Sequence, residues 1–245
     1  MALEPSRPRH TSHYRDSTGR SLADYPRPSV AVDTAVLTLA PRTAPRPGEP
    51  PVRLCVLLVR RPEPHTGVQW ALPGTFLHPG ERLADAVARA LADKAGVRAA
   101  RSTQLAVFDA PDRDDRGWVL SVAHLASVRY AALAGTLDAH PEAVRLAPVS
   151  RPGPLPYDQA AIVTAAALRL RAGYAERPDP ARFLGASFTI RSLRHVHEAV
   201  AGTTLQKDTF RRTMQAWLTP TGTLSEGSVG RPSELFRRRR GHRLR

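Results

Sequence analysis

The stretch Trp70–Val97 reads WALPGTFLHPGERLADAVARALADKAGV, and its pattern predicts a tight loop followed by a helix. Apolar side chains recur at spacings of three and four from Leu83 to Leu91, which is typical of an amphipathic helix. We expect this helix over residues 83–94. Gly96 is well suited to end it, because glycine readily adopts the left-handed conformation of a helix C-terminus. The Pro-Gly pairs before the helix predict turns.

The composition indicates a chain that can bury a core and excludes several classes of protein. Its 245 residues are enough for two domains of ordinary size, and 42% of them are hydrophobic. No run of about 18 apolar residues is present, so we expect no membrane span. The first residues lack the pattern of an export signal, and the single Cys55 excludes an internal disulfide framework. We therefore expect a cytoplasmic protein with Cys55 buried.

The charge is strongly positive and unevenly distributed. The formal net charge is +14, and only Lys94 and Lys207 of the 36 Lys and Arg residues are lysines. Abundant arginine beside abundant alanine and proline is typical of a GC-rich genome, so abundance alone does not indicate nucleic-acid binding. The location is more informative, because residues 183–245 carry 12 Lys and Arg against 4 Asp and Glu. This segment is therefore expected to meet a polyanion.

Strand and helix patterns divide the chain into four parts. Residues 1–24 show no periodicity and are expected to form a disordered arm, whereas residues 25–150 contain the β-branched, alternating segments of a sheet. Residues 151–186 are expected to supply an alanine-rich helix and a connector, and residues 187–245 a helix, a turn, a second helix and a hairpin with a basic tail. Strands are predicted at 29–40, 53–61, 104–109 and 118–128, the alanine-rich helix at 157–172 and a proline-rich loop at 141–156.

The last part begins with a helix whose ends are marked in the sequence. Thr189 is expected to cap its N-terminus and Gly202 to stop its C-terminus. Its buried stripe is predicted at Leu193, Val196 and Val200. We interpret His195 and His197 as structural, because no further potential ligands surround them in the sequence.

A second helix follows after a short turn at residues 203–205, and it predicts a helix-turn-helix. Its buried stripe is expected at Phe210, Met214 and Trp217. Basic and amide side chains point elsewhere and are candidates for contacts in a DNA major groove: Lys207, Arg211, Arg212 and Gln215. On pattern alone, a small helical tail with a solvated face is an equally good interpretation.

A hairpin is predicted after the second helix. Residues 220–230 are rich in Gly, Ser and Thr, and the sequence GRPSELF follows, in which Leu235 and Phe236 are expected to return to the core. Such a hairpin is typical of the wing of a winged helix. Arg231 would then lie at the wing, within reach of a phosphate or a minor groove.

The loop and helix quoted first resemble the Nudix signature, in which a glycine, a glutamate and a helix with three further glutamates recur at fixed spacing. Glu81, Arg89, Leu91, Gly96 and Val97 fall in register with that signature, whereas Thr75 replaces its opening glycine. At the positions of the three later glutamates stand Ala90, Asp93 and Lys94. The resemblance implies a Nudix α/β/α sandwich with a mixed sheet, and here a winged helix-turn-helix domain follows it.

The replacements predict that metal binding and hydrolysis are lost. Hard divalent cations need several oxygen ligands, and Asp93 alone is a poor metal site. Lys94 places a fixed positive charge near the expected Mg²⁺ position and is a candidate diphosphate contact. Glu81 and Arg89 are expected to remain as an ion pair that braces the loop. The alternative is a Mg²⁺-dependent hydrolase of ADP-ribose or another nucleoside diphosphate derivative, with compensating carboxylates at Asp112, Asp114 or Asp115.

Taken together, the motifs resemble the Nudix-related transcriptional regulators of NAD metabolism. The resembling stretches include YPRPSVAVDTAV (25–36), WALPGTFLHPGE (70–81), PDRDDRGWVLSVAHL (111–125), FTIRSLRHVHEAVAG (188–202) and GRPSELF (230–236). The resemblance implies a homodimer on palindromic duplex DNA, acting by default as a repressor. It also implies that a nucleotide such as ADP-ribose binds the Nudix domain and alters the DNA affinity.

Five side chains are candidates for contacts with that nucleotide. Arginines and lysine suit its phosphates, and aromatic rings suit stacking on adenine. The candidates are Arg60, Trp70, Phe76, Lys94 and Arg116. An RNA-associated Nudix protein is a weaker alternative, because a basic tail does not distinguish between nucleic acids, whereas a helix-turn-helix with a wing favours duplex DNA.

Overall fold

The computed structural model describes residues 15–61, 67–98, 101–225 and 232–239. Within these ranges, a short 3-10 turn at Leu22–Asp24 precedes ten strands and five helices. The strands are β1 (Ser29–Pro41), β2 (Val52–Arg60), β3 (Trp70–Ala71), β4 (Gly74–Phe76), β5 (Ser102–Phe108), β6 (Val119–Ser127), β7 (Val144–Pro148), β8 (Phe188–Thr189), β9 (Leu218–Leu224) and β10 (Glu234–Arg238). The helices are α1 (Leu83–Ala95), α2 (Tyr130–Ala139), α3 (Gln159–Glu176), α4 (Ile190–Ala201) and α5 (Lys207–Gln215).

The first seven strands form one mixed sheet. Its order is β3-β2-β1-β6-β5, with β4 paired to β1 and β7 paired to β2. β1 and β6 run parallel, whereas the other pairs are antiparallel. β1 lies between β2 and β6, and its residues from Val32 to Ala40 are buried. A nearly continuous apolar run is what a strand covered on both faces requires.

Helices cover both faces of this sheet, so the predicted sandwich is confirmed. On one face, Val36 and Leu57 pack with Val87 and Leu91 of α1. On the other face, alternate residues of the same strands pack against the inner sides of α3 and α4. Side chains in that second layer include Leu37, Val56, Ile162, Val163, Val196 and Val200.

The remaining strands form a three-stranded sheet in the order β8-β10-β9, beside α4 and α5. The Thr189 hydroxyl accepts a hydrogen bond from the Ser192 N–H, and Gly202 ends α4 in the left-handed conformation, so both predicted helix ends are confirmed. A small core joins Phe188, Leu193, Phe210, Met214, Leu218 and Phe236. The helix, turn, helix and hairpin of a winged helix are therefore present.

The first helix of this winged helix belongs to two cores at once. Leu193 packs in the small core, whereas Val196 and Val200 pack in the layer over the large sheet. The single stripe predicted for α4 is therefore divided between two neighbours. α4 also packs against α3, which precedes β8 in the chain. The winged helix therefore packs directly against the sandwich through α4.

The structure differs from the expectations drawn from the sequence at three places. The loop expected at 141–156 contains β7, whose Val56↔Ala147 pairing with β2 extends the sheet despite the nearby prolines. No helix was anticipated at α2, although Leu133 buries its side chain beneath the sheet. Trp217 is only half-buried, because α5 ends before it and Leu218 takes the buried position.

Cys55 is buried, as predicted. None of the helices in the described ranges is long and apolar enough to cross a membrane.

Candidate functional site

A cleft of about 480 Å³ opens at the end of the large sheet where β1 begins and β2 ends. Strand β4, the end of α1, the turn between β5 and β6 and the start of α3 close its sides. Its charged, amide and aromatic lining consists of Asp33, Arg60, Arg61, Phe76, Lys94, Arg113, Asp114, Arg116, Tyr157 and Gln159. Five cationic side chains and two carboxylates therefore face a cavity large enough for a small ligand.

The loop beside the cleft is braced by Glu81 and Arg89. Arg89 Nε and an Arg89 amino nitrogen donate to the two Glu81 oxygens, both at 2.9 Å. Arg89 also donates to the Thr75 hydroxyl at 3.1 Å and to the Phe76 carbonyl at 3.0 Å. The hydrogen bonds that Glu81 accepts from Arg89, with a further one from the His78 N–H, lower the pKa of Glu81 to about 2. The expected ion pair is present, and it occupies both oxygens of the carboxylate.

Lys94, at the end of α1, lines the cleft. Its ammonium donates to the Gly74 carbonyl, and partial burial lowers its pKa, while the nearby Asp33 acts in the opposite direction. Asp93 is exposed and does not line the cleft. Within the described ranges, no three His, Cys, Asp or Glu side chains are grouped to hold a metal ion. These residues do not fit the Mg²⁺ site of a Nudix hydrolase, because an ammonium stands where carboxylate oxygens are required.

A buried polar network forms the floor of the cleft. Asp33 accepts from the Ser121 hydroxyl at 2.6 Å and from Gln159 Nε2 at 2.8 Å. Gln159 Oε1 in turn accepts from the Leu72 N–H at 2.7 Å. Burial raises the pKa of Asp33, whereas these donors and Arg113 oppose that rise. The network fixes the start of α3 to β1 and β6.

A second layer of charge lies above this floor. Arg113, whose side chain is only 2% exposed, makes two hydrogen bonds of 2.6 and 2.9 Å with Asp158 and lies 3.7 Å from Asp33. Arg113 is thus held by two carboxylates in the low-dielectric interior, where such pairing offsets much of the cost of desolvation.

Arg116 lies between two aromatic rings at the mouth of the cleft. Its guanidinium carbon is 5.3 Å from the ring centre of Phe76 and 5.2 Å from that of Tyr157. Asp114 accepts two side-chain hydrogen bonds from it, at 2.7 and 2.9 Å. Arg61 approaches the Tyr157 ring at 5.6 Å. The mouth therefore presents stacked flat groups, a surface suited to a base or a sugar.

The cleft brings together four of the five predicted ligand contacts: Arg60, Phe76, Lys94 and Arg116. Trp70 is not part of the lining. Its ring packs beneath Arg145, 4.4 Å from the guanidinium carbon, and against the large core. Of the three aspartates considered as compensating carboxylates, only Asp114 lines the cleft, and it is bound by Arg116.

Sequence reasoning missed the polar floor and one wall of the cleft. Asp33 lies within an apolar strand, and Gln159 and Tyr157 belong to the helix predicted at 157–172, although the observed α3 begins only at Gln159. A signal was available, because an aspartate in the middle of an otherwise buried strand needs partners. Arg113 stands in the charged turn PDRDDRG, in which the sequence indicated site residues at Arg116 and the aspartates but not at Arg113.

The second candidate surface is the outer face of α5. Lys207, Arg211, Arg212 and Gln215 are all exposed, as predicted, and none of them forms a salt bridge with a described carboxylate. Phe210 and Met214 bury the opposite face. The Gln206 side chain caps the helix by accepting from the Thr209 N–H. Arg231, predicted at the wing, lies outside the described residues.

Asp179 joins the sandwich to the winged helix. Its buried carboxylate accepts from the Tyr174 hydroxyl at 2.5 Å and from the N–H groups of Phe183 and Leu184, both at 2.9 Å. The guanidinium of Arg238, from β10, pairs with the same carboxylate. One side chain thus connects the end of α3, the connector and the wing.

His197 fills the space beside Asp179. Its Nε2 accepts from the Asp179 N–H at 3.3 Å, and its ring meets those of Tyr174 and Phe210 edge-on, with ring centres 4.9 and 5.0 Å away. Burial lowers the pKa of His197 to about 4. The histidine is therefore neutral at pH 7 and has the structural surroundings that its sequence position predicted.

Comparison with protein families matches both halves of the chain. Residues 43–164 match the model of the NUDIX domain. Residues 180–238 match the model described as the NrtR DNA-binding winged helix domain. The first match falls on the sandwich and the second on the winged helix.

Similar proteins combine the same two parts. The chain is 27% identical over 220 residues to the "ADPR responsive transcriptional repressor NtrR" of Acinetobacter baylyi, covering 88% of this chain and 84% of that protein. The NrtR structure from Shewanella oneidensis is 30% identical, with a TM-score of 0.68 over 86% of this chain and 94% of that one. The same protein complexed with a 27mer DNA is 29% identical, with a TM-score of 0.69 over 86% and 93%. Both halves and their order agree, and the chain belongs to the NrtR family of Nudix-related transcriptional regulators.

Proposed function

We propose that this protein is a transcriptional repressor that binds duplex DNA through α5 and its wing and senses ADP-ribose in the Nudix cleft. The observation that carries the proposal is the replacement of the hydrolase metal site by Lys94 in a cleft that is otherwise intact. The relative from Acinetobacter baylyi, an ADP-ribose-responsive repressor by name, supports the same ligand. The complex of the relative from Shewanella oneidensis with DNA supports the same macromolecular partner.

The cleft has groups for each part of such a ligand. Lys94 and Arg60 supply positive charge for the diphosphate, where a hydrolase would use a metal ion. Phe76 and Tyr157 supply flat surfaces on either side of Arg116 for a base. Because Lys94 cannot polarise a phosphate or activate water as Mg²⁺ does, we propose that the ligand is bound and released intact.

Helix α3 offers a physical link between the two surfaces. It begins at Gln159, which is bonded to Asp33 in the cleft, and approaches its end at Tyr174, which is bonded to Asp179. The two residues are about 22 Å apart along a helix. A ligand that binds one position of α3 better than another shifts the position of α4 and α5, and DNA affinity changes with it.

The operator is proposed to be palindromic and the active species a cytoplasmic homodimer. Two copies of α5 placed about one helical turn of DNA apart would then read two half-sites. The exposed Lys207, Arg211, Arg212 and Gln215 are the proposed contacts in the major groove, and Arg231 is the proposed contact of the wing. The proposed domain limits remain 25–150 for the ligand-binding part and 187–245 for the DNA-binding part.

The proposal is tested by following DNA binding by fluorescence anisotropy, using a duplex that the protein itself selects from a random-sequence pool. ADP-ribose is expected to change the affinity for this duplex at least fivefold, and AMP with ribose 5-phosphate is the control. Arg211→Ala is expected to weaken binding at least tenfold, whereas Arg169→Ala, an exposed arginine on α3, leaves it unchanged. No selected duplex, or equal affinity with and without ADP-ribose, contradicts the proposal.

A further inference from the structure

A second cavity, larger than the Nudix cleft, lies where the sandwich meets the connector to the winged helix. Its volume is about 760 Å³. Val97 and Arg98 after α1, strands β5 and β6 and the start of α2 form one side, and Pro180–Arg182 of the connector form the other. We name this space the junction cavity. It shares no lining residue with the Nudix cleft.

Four arginines line the junction cavity: Arg98, Arg101, Arg129 and Arg182. No carboxylate is part of the lining, and none of the four arginines forms a salt bridge with a carboxylate in the described part of the chain. The cleft differs, because Arg113 and Arg116 there are each paired with an aspartate. Four like charges around one cavity raise the local positive potential, which an anion would neutralise.

The remaining lining suits a phosphorylated ligand. Thr103 and Ser127 contribute hydroxyl groups, and Leu125 and Val128 contribute apolar surface. The first turn of the ten-residue helix α2 begins at the cavity, with Arg129 as its N-cap and Ala132 in the lining. A helix N-terminus adds a partial positive charge to that of the four arginines.

The connector side of the cavity is tied directly to the winged helix. Arg129 Nε donates to the Arg182 carbonyl at 2.9 Å, and the Arg182 N–H donates to the Asp179 carbonyl at 3.0 Å. Asp179 holds Arg238 of β10. A molecule seated between Arg101 and Arg182 would therefore clamp the sandwich to the segment that positions the wing.

We infer that the junction cavity is a second anion site, distinct from the ADP-ribose cleft, that takes a small molecule carrying a diphosphate or a comparable cluster of phosphate charges. Its arginines bind the phosphate oxygens, and α2 contributes its N-terminal N–H groups. The bound anion holds the connector against the sandwich, and this favours one position of the winged helix relative to the DNA. The binding itself does not depend on the proposed function, whereas the effect on DNA rests on it.

The test is isothermal titration of the full chain with inorganic pyrophosphate at low ionic strength, in the presence of saturating ADP-ribose. One site per chain is expected. Arg98→Ala/Arg101→Ala is expected to weaken it at least tenfold, because two charge-assisted contacts are lost. The matched control is Arg169→Ala/Arg177→Ala, which removes the same charge from exposed positions of α3 and its C-cap and leaves the site unchanged. Lys94→Ala alters the ADP-ribose cleft only.

Two outcomes overturn the inference: the absence of a pyrophosphate site in the wild-type protein, and equal weakening by the control pair. If the wild-type protein binds no pyrophosphate and Arg98→Ala/Arg101→Ala loses DNA affinity, these arginines contact DNA phosphates instead. If ADP-ribose fails to change DNA binding while the pyrophosphate site behaves as expected, only the proposed function is contradicted. A second variant, Arg182→Ala, repeats the test from the connector side.

Discussion

The Nudix cleft and the outer face of α5 both carry several cationic side chains, but they differ in whether carboxylates pair with those charges. In the cleft, Arg113 is paired with Asp158 and Arg116 with Asp114. On α5, Arg211 and its basic neighbours are exposed and form no salt bridge within the described residues. An ion pair holds a guanidinium in one orientation, whereas an exposed guanidinium remains available to bind a polyanion.

The difference has a thermodynamic consequence. A charge that is paired inside the protein is held in one orientation, and its removal destabilises the fold because it leaves a buried partner charge uncompensated. An exposed charge on a helix contributes little to stability and acts mainly on association, where its effect is screened by salt. Arg113 is thus held in place by its carboxylates, whereas the exposed arginines of α5 are free to meet a polyanion.

The largest expected effect is on stability and comes from the cleft. Arg113→Ala leaves Asp158 and Asp33 without their cation, and we expect the free energy of unfolding to fall by about 3 kcal/mol. Arg211→Ala, the matched change on α5, is expected to alter it by less than about 0.5 kcal/mol. Urea unfolding followed by circular dichroism measures both. Similar losses in the two variants would remove the distinction between paired and free arginines.

The second effect is on DNA binding and comes from α5. Arg211→Ala/Arg212→Ala is expected to weaken the affinity for DNA by about two orders of magnitude, because each of the two lost contacts is expected to cost about 1.4 kcal/mol, a factor of ten. If both arginines contact phosphates, the slope of log affinity against log salt falls by about 2. Anisotropy titrations between low and moderate salt give both quantities. An unchanged slope together with unchanged affinity would assign DNA binding to another surface.

A third effect concerns the junction between the two regions and depends on pH. The pKa of His197 is lowered to about 4 in the folded protein, whereas an exposed histidine titrates near 6.5. As the pH falls below 6.5, the unfolded chain therefore takes up the proton first, and folding loses stability until the pH reaches about 4. Between pH 7 and pH 5 this histidine is expected to lower the free energy of unfolding by about 2 kcal/mol.

The measurement compares urea unfolding of the wild-type protein and His197→Gln at both pH values. The variant is less stable at pH 7. On acidification to pH 5, its free energy of unfolding is expected to fall by about 2 kcal/mol less than that of the wild-type protein. His140→Gln, at an exposed position, serves as the control. Equal pH dependence in the wild-type protein and His197→Gln would show that the histidine is not held neutral by burial.

The smallest expected effect concerns the aromatic mouth of the cleft. Phe76→Ala removes one of the two rings beside Arg116, and we expect ADP-ribose to bind about fivefold more weakly, an ordinary loss for one aromatic contact. Trp118→Ala removes an aromatic side chain that is 53% exposed outside the cleft lining and is the control. Titration calorimetry measures both affinities. Equal binding to wild-type protein and Phe76→Ala would place the base elsewhere.

The sequence predicted those features that depend on local pattern. The Nudix loop and helix, the caps at Thr189 and Gly202 and the exposed face of α5 all follow from residues a few positions apart. The family match confirms the sandwich and the winged helix. The exposed side of an amphipathic helix can be identified from the spacing of its apolar residues alone. The basic face of α5 could therefore be predicted without knowledge of tertiary contacts.

What the sequence did not reveal depends on contacts between distant segments. Asp33 meets Ser121 and Gln159 across 88 and 126 positions of the chain, and Asp179 meets Arg238 across 59. The same limitation explains Trp70, which carries the right chemistry for a base but packs beneath Arg145. It also explains α4, whose single apolar stripe serves two cores.

The central claim is that the cleft binds ADP-ribose without a metal ion and without cleaving it. The most direct measurement is isothermal titration of the purified protein with ADP-ribose, first with Mg²⁺ and then with EDTA, followed by chromatography of the recovered ligand. Saturable binding of equal affinity in both conditions, with intact ADP-ribose recovered, is the result we expect from Lys94 in place of a metal ligand. Binding that requires Mg²⁺, with AMP recovered and turnover abolished by Glu81→Gln, would contradict it.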